Sequence, residues 1–130
     1  MRIDAHFHLD IYGEDAASVV AEIEEHRIFS ISVALDPDAY AAAKVLAGDC
    51  PLVLPAFGVH PWMAPEHVDR LDRLTALVAE TPMIGEIGLD HHFVKDKAAY
   101  PAQMRVFEFF LALADGDHRL LDAFERAVES

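Results

Sequence analysis

The sequence predicts an α/β fold built from βα units around a parallel sheet, and three observations carry that prediction. Apolar, β-branched runs alternate with stretches of helical periodicity along residues 2–114. The strand-like runs are apolar on both faces, as expected where helices cover a sheet on each side. The residues able to do metal or acid–base chemistry fall at the ends of those runs, where parallel βα folds collect their functional groups.

Residues 2–7 read as the first strand. Asp15 to Arg27 reads as a helix, with Val19, Val20 and Ile23 on one face and Glu22, Glu24 and Glu25 outside. Ile28 to Leu35 is the second strand, rich in β-branched residues. Pro37 and Gly48 bracket a second helix, and Asp36-Pro37 makes its start. Leu52 to Phe57 is the third strand. Pro65 to Glu80 is the third helix, striped by Val68, Leu71, Leu74, Leu77 and Val78. Met83 to Leu89 is the fourth strand, and Pro101 to Ala114 the fourth helix, stopped by Asp115-Gly116. His118 to Glu129 is helical again, with Leu120, Leu121, Phe124 and Val128 at helical spacing and no strand before it. About four parallel strands with flanking helices and an extra C-terminal helix are therefore expected, joined by right-handed crossovers.

The 130 residues make one domain of ordinary size, and 53% hydrophobic content excludes a disordered chain. Ten basic against 23 acidic residues give a net charge of −13. Such a surface repels phosphate backbones unless bound cations offset it. Arg70, Arg73 and Arg105 are interleaved with acids and form no readable basic patch. The single Cys50 cannot form an internal disulfide and fits a reducing compartment. No signal peptide and no membrane span are readable, so a cytoplasmic location is expected.

The first strand closes on Ile3-Asp4-Ala5-His6-Phe7-His8. Alternation along a strand points His6 and His8 the same way, which makes a ready corner for a divalent metal. His-x-His alone is a weak signal. Glu86 strengthens it, because a carboxylate inside the apolar run Ile84-Gly85-Glu86-Ile87-Gly88-Leu89-Asp90 is costly to bury without a partner. The flanking Gly85 and Gly88 let something approach closely. A metal answers both observations; so does an edge strand on which Glu86 reaches water or a salt bridge. His60, in Gly58-Val59-His60-Pro61-Trp62, suits substrate binding or proton transfer, or else packs on Trp62 and caps the loop. Asp90 suits a general base or a group orienting a metal-bound water, or else caps a turn. Of His91 and His92 at most one can face the site. His26 and His67 read as surface residues, and Cys50 as a small packed or loop residue.

Together these segments resemble the TatD family of metal-dependent hydrolases, relatives of the amidohydrolases. The matching stretches are Ile3 to Asp10, Phe57 to Trp62 and Ile84 to Asp90, with Gln103, Phe107 and Leu111-Ala112 similar to the family's next helix. The order and rough spacing agree over residues 1–114. The resemblance implies part of a (β/α)8 TIM-type barrel. It implies His6 and His8 as metal ligands, Glu86 as the metal-bridging carboxylate, His60 near the substrate and Asp90 in support. The family carries one or two divalent ions (Zn, Mg or Mn), and at most one is expected here. Phosphodiester cleavage of nucleic acid by metal-activated water is the implied activity, with small esters or amides as other substrates.

The departure from the family is large. Its site is completed by histidines from strands five and six and an aspartate from strand eight, and no residue here matches them in context. His118 follows a turn and does not replace the first of these. A barrel needs about 250 residues, so the chain reads as a truncated N-terminal half. Four strands cannot close a barrel, and open edges invite a homodimer. The competing reading is a catalytically impaired homologue, folded but without turnover, serving as a dimerising half-barrel or an interaction module.

Overall fold

The computed structural model describes residues 1–114. The stop at Asp115-Gly116 and the helix expected over His118–Glu129 lie outside the described residues. Among the described residues the sheet has three parallel strands in the order β1 (Arg2–Phe7), β2 (Ile28–Val33), β3 (Val53–Ala56). Between them run the crossover helices α1 (Ala16–His26) and α2 (Pro37–Ala47). A 3-10 stretch over Leu9–Asp15 leads from β1 into α1. Arg27 turns the chain from α1 into β2 in the left-handed region, at φ 52°. The start of α2 follows from its sequence: Asp36 accepts a bond from Ala39 N at 2.8 Å, and Pro37 occupies the first turn.

β2 is the central strand and is almost wholly buried, because it is covered on both faces. Phe29, Ile31 and Val33 join Leu9, Ala16, Ile23 and Leu52 in one apolar cluster. Ala34, just past β2, belongs to a second cluster with Tyr40, Phe57, Val59, Val106 and Phe110. The two serines of β2 find partners inside: Ser32 Oγ accepts from Leu9 N at 3.0 Å, and Ser30 Oγ donates to Ile28 O at 3.2 Å. β1 is the edge and is far more exposed; Ile3 is 61% accessible. Its pairing with β2 slips between Asp4 and Phe7, where three steps along β1 match two along β2.

The fourth expected strand is not one of the three. Residues 83–89 meet the sheet through a single parallel bridge, Phe57 to Ile84. The reason lies in where the backbone bonds go. Gly85 N donates to Phe57 O (2.9 Å), but Gly85 O accepts from Ala34 N (3.2 Å) and Glu86 N donates to Ala34 O (3.1 Å). The segment thus crosses the ends of β3 and β2 as a strap instead of running beside β3. The third helix also differs from its periodicity. It divides into α3 (Ala64–His67), a 3-10 stretch over Val68–Leu74 broken at Arg70, and α4 (Thr75–Glu80). Its stripe of Val68, Leu71, Leu74, Leu77 and Val78 is nonetheless packed on the second cluster, so the pattern reports which side is buried rather than an unbroken helix. α5 (Tyr100–Leu113) completes the described chain, burying Gln103, Val106 and Phe110. Among the described residues no helix is long and apolar enough to cross a membrane.

Candidate metal centre

The strap and the end of β1 meet above the carboxyl ends of the strands. Gly58 makes that meeting possible. A Cβ there would lie 2.6 Å from Glu86 N and 2.7 Å from Gly85 C, closer than real carbon atoms come. Gly85 packs its bare Cα over Val33, where a Cβ would sit 3.3 Å from Val33 Cγ1. Glu86 is thereby fixed by backbone bonds at its base, with its carboxylate half-buried.

Three histidines surround that carboxylate and divide its oxygens. His6 Nε2 lies 3.6 Å and His8 Nε2 3.7 Å from Oε2, while His60 Nε2 lies 3.5 Å from Oε1. The His6 and His8 rings meet edge to face, 5.2 Å between centroids. The alternation expected from sequence brings both to one place, although β1 ends at Phe7 and His8 stands one residue beyond it.

Hydrogen bonds separate the roles of the rings. His8 Nδ1 is 2.9 Å from Val33 O, and a carbonyl can only accept, so Nδ1 carries the proton. Nε2 of the neutral ring is then the lone-pair nitrogen and faces Glu86, the arrangement usual for a metal-binding imidazole. His60 is the reverse. Its Nδ1 accepts from Trp62 N at 3.1 Å, so in the neutral ring Nε2 carries the proton, 3.5 Å from Glu86 Oε1. Burial is the main influence on His60 and lowers its pKa, opposed by Glu86 and Asp90. His60 is therefore placed as a neutral donor beside the carboxylate.

Ligand-bearing atoms of His6, His8 and Glu86 all lie within 4.8 Å of one another. Four ligands about 2.0–2.2 Å from a tetrahedral zinc stand roughly 3.4 Å apart, close to the 3.6 and 3.7 Å between each imidazole and the carboxylate. Two imidazoles and a carboxylate suit zinc or manganese, and the residues fit a divalent ion.

Asp90 stands four residues along the strap and has both oxygens engaged. Oδ1 accepts from His92 N and Phe93 N, each at 2.9 Å, and Oδ2 accepts from Trp62 Nε1. These bonds, led by that from Phe93, hold its carboxyl below the usual carboxylate range. Its own backbone is gripped by Gln103: Asp90 N donates to Oε1 (2.9 Å), and Nε2 donates to Asp90 O (3.2 Å). Gln103 is 0% exposed, a buried amide satisfied by a loop. His91 stacks on Tyr100 at 3.7 Å, and His92 lies edge-on to Phe93. Sequence reasoning did not find the work of Gln103, Gly58 or the Val33 carbonyl. Gly58 left a signal as a glycine at the exit of a strand, and Gln103 one only through its likeness to the family's next helix.

The model of the TatD related DNase family matches residues 3–120 of the 130. No curated protein matches the chain.

Proposed function

The chain belongs to the TatD related DNase family, and from that premise we propose that it is a metal-dependent hydrolase acting on phosphodiester bonds of nucleic acid. The observation that carries this reading is the convergence of His6 Nε2 and His8 Nε2 on Glu86 Oε2. His6, His8 and Glu86 would hold one divalent ion, which when bound supplies a hydroxide-like water near neutral pH and polarises the scissile bond. The residues do the rest. The proton on His8 Nδ1, kept by Val33 O, leaves Nε2 free for the ion. His60 presents its Nε2 beside Glu86 Oε1 and stands ready to contact a phosphate oxygen. Asp90 keeps the loop and Trp62 in place beside them.

A second reading, an impaired homologue that binds metal without turnover, is favoured by one observation. Only three ligand residues gather among the described ones, and the His6 side chain is 56% exposed. Both readings meet one experiment. Purified protein is loaded with manganese or zinc, its metal content measured, and cleavage of single-stranded DNA followed with and without chelator. Bound metal with chelator-sensitive cleavage supports the hydrolase. Bound metal without cleavage supports the impaired homologue. Less than about one-tenth of an ion per chain sinks the hydrolase and leaves the homologue without turnover.

A further inference from the structure

Beside the metal corner two large rings are held outward. Trp62, the only tryptophan, is 55% exposed, and Phe93 is 73% exposed. Their centroids are 6.3 Å apart with planes at 77°, and the indole meets His60 at 4.8 Å and 75°. His60 in turn lies 3.5 Å from Glu86. Among the described residues no ring stacks parallel on the indole. The contrast with His91 and Tyr100 is instructive: they lie 3.7 Å apart with planes at 17°, each already covering the other's face.

The indole is pinned through its ring nitrogen, and Phe93 is held through its backbone. Trp62 Nε1 donates to Asp90 Oδ2, and its backbone N donates to His60 Nδ1. Phe93 N donates to Asp90 Oδ1, and Gln103 fixes Asp90 from the buried side. Exposed apolar rings forgo the stabilisation that burial would bring. An indole fixed in that state, its N–H satisfied by Asp90, with Phe93 carried on a bonded backbone beside it, is preorganised for a flat partner. The charge of −13 does not itself favour a nucleic-acid strand, so affinity for one would have to come from the rings. Phosphates gain little from this surface, whereas stacking on an aromatic needs no positive charge.

We propose that Trp62 and Phe93 form a stacking platform for an unpaired nucleobase, next to the phosphodiester at Glu86. This rests on the nucleic-acid reading above, and it makes base contacts, not backbone contacts, the main source of substrate affinity. A base inside a duplex is already stacked, so the platform selects single strands and frayed ends.

The test needs no turnover. Binding of a labelled oligothymidylate is followed by anisotropy in chelator, and of an abasic strand of equal length, over a range of salt. The thymidylate should bind at least about tenfold more tightly than the abasic strand, with a shallow salt dependence, and should change Trp62 fluorescence. Trp62→Leu and, separately, Phe93→Leu should each weaken it about fivefold or more. Phe93 is exposed enough that its replacement should not disturb folding. Equal binding of the abasic strand, a steep salt slope, or unchanged binding in both variants overturns the platform. If base binding persists while metal loading or cleavage fails, the hydrolase reading falls and the platform stands. If cleavage is metal-dependent and its KM is unchanged in both variants, the platform alone falls.

Discussion

The two walls of the metal corner are built differently. The histidine wall stands on β1, an exposed edge strand with slipped pairing, and past the end of that pairing it is held by side-chain bonds, His8 Nδ1 to Val33 O and Leu9 N to Ser32 Oγ. The carboxylate wall is a strap with little regular structure, yet its backbone is bonded to both Ala34 and Phe57 and backed by Gly58. Regular secondary structure is thus a poor guide to which wall is firmer. What counts is how many of a segment's polar groups are answered by buried partners. The glutamate side is preset by the fold, and the histidine side is the adjustable one.

Breaking the firm wall should cost most. Glu86→Gln removes the charge that both imidazoles face, and divalent-metal affinity should fall at least about 100-fold, with cleavage lost. Metal titration by calorimetry, beside a thermal melt showing a folded protein, checks it. Gly58→Ala pushes a Cβ into the backbone of the strap and should destabilise the chain by about 1–3 kcal/mol. Urea unfolding measures this, and a metal affinity that falls beyond the loss of stability would show Glu86 displaced. Gln103→Leu leaves the Asp90 N–H and carbonyl without partners, a loss of roughly 1–3 kcal/mol by the same measurement; an unchanged midpoint would mean the loop holds itself.

The smallest expected effect is a pH response of the loop beyond the strap. Asp90 is held below its ordinary value near 3.8, first by Phe93 N–H and then by Trp62. A depressed carboxyl gives its full contribution above that ordinary value and loses it as pH falls through the lower folded value. Trp62 fluorescence should therefore change in acid below the range of a free aspartate, and Asp90→Asn should abolish that transition.

The helix–strand order is legible because a strand covered on both faces, Ile28–Val33, is a short β-branched run, whereas a helix with one buried face, Ala16–His26, spaces its apolar residues with a period of 3.6. The strap is not legible for the same reason. Met83 to Leu89 has the apolar content of a strand, but its bonds are decided by Ala34, about fifty residues away. His6, His8 and Glu86 are nameable from residue type and place. The opposite tautomers of His8 and His60 are not, since each is set by a distant or turned backbone group, Val33 O and Trp62 N. Gln103 is hidden for a similar cause: a glutamine on a helix looks like surface until a loop is seen folded over it.

The bond from His8 to Val33 ties the corner to the sheet's least protected seam. An occupant gripping the far side of that ring also fastens the edge strand to the central one, working as a clasp across β1 and β2. Since it can close only on the folded chain, occupancy stabilises the whole by mass action. The gain should be greatest where opening is easiest, at residues 2–7. Slowed amide exchange along that edge would then gauge what sits at the corner, as directly as any measurement of turnover.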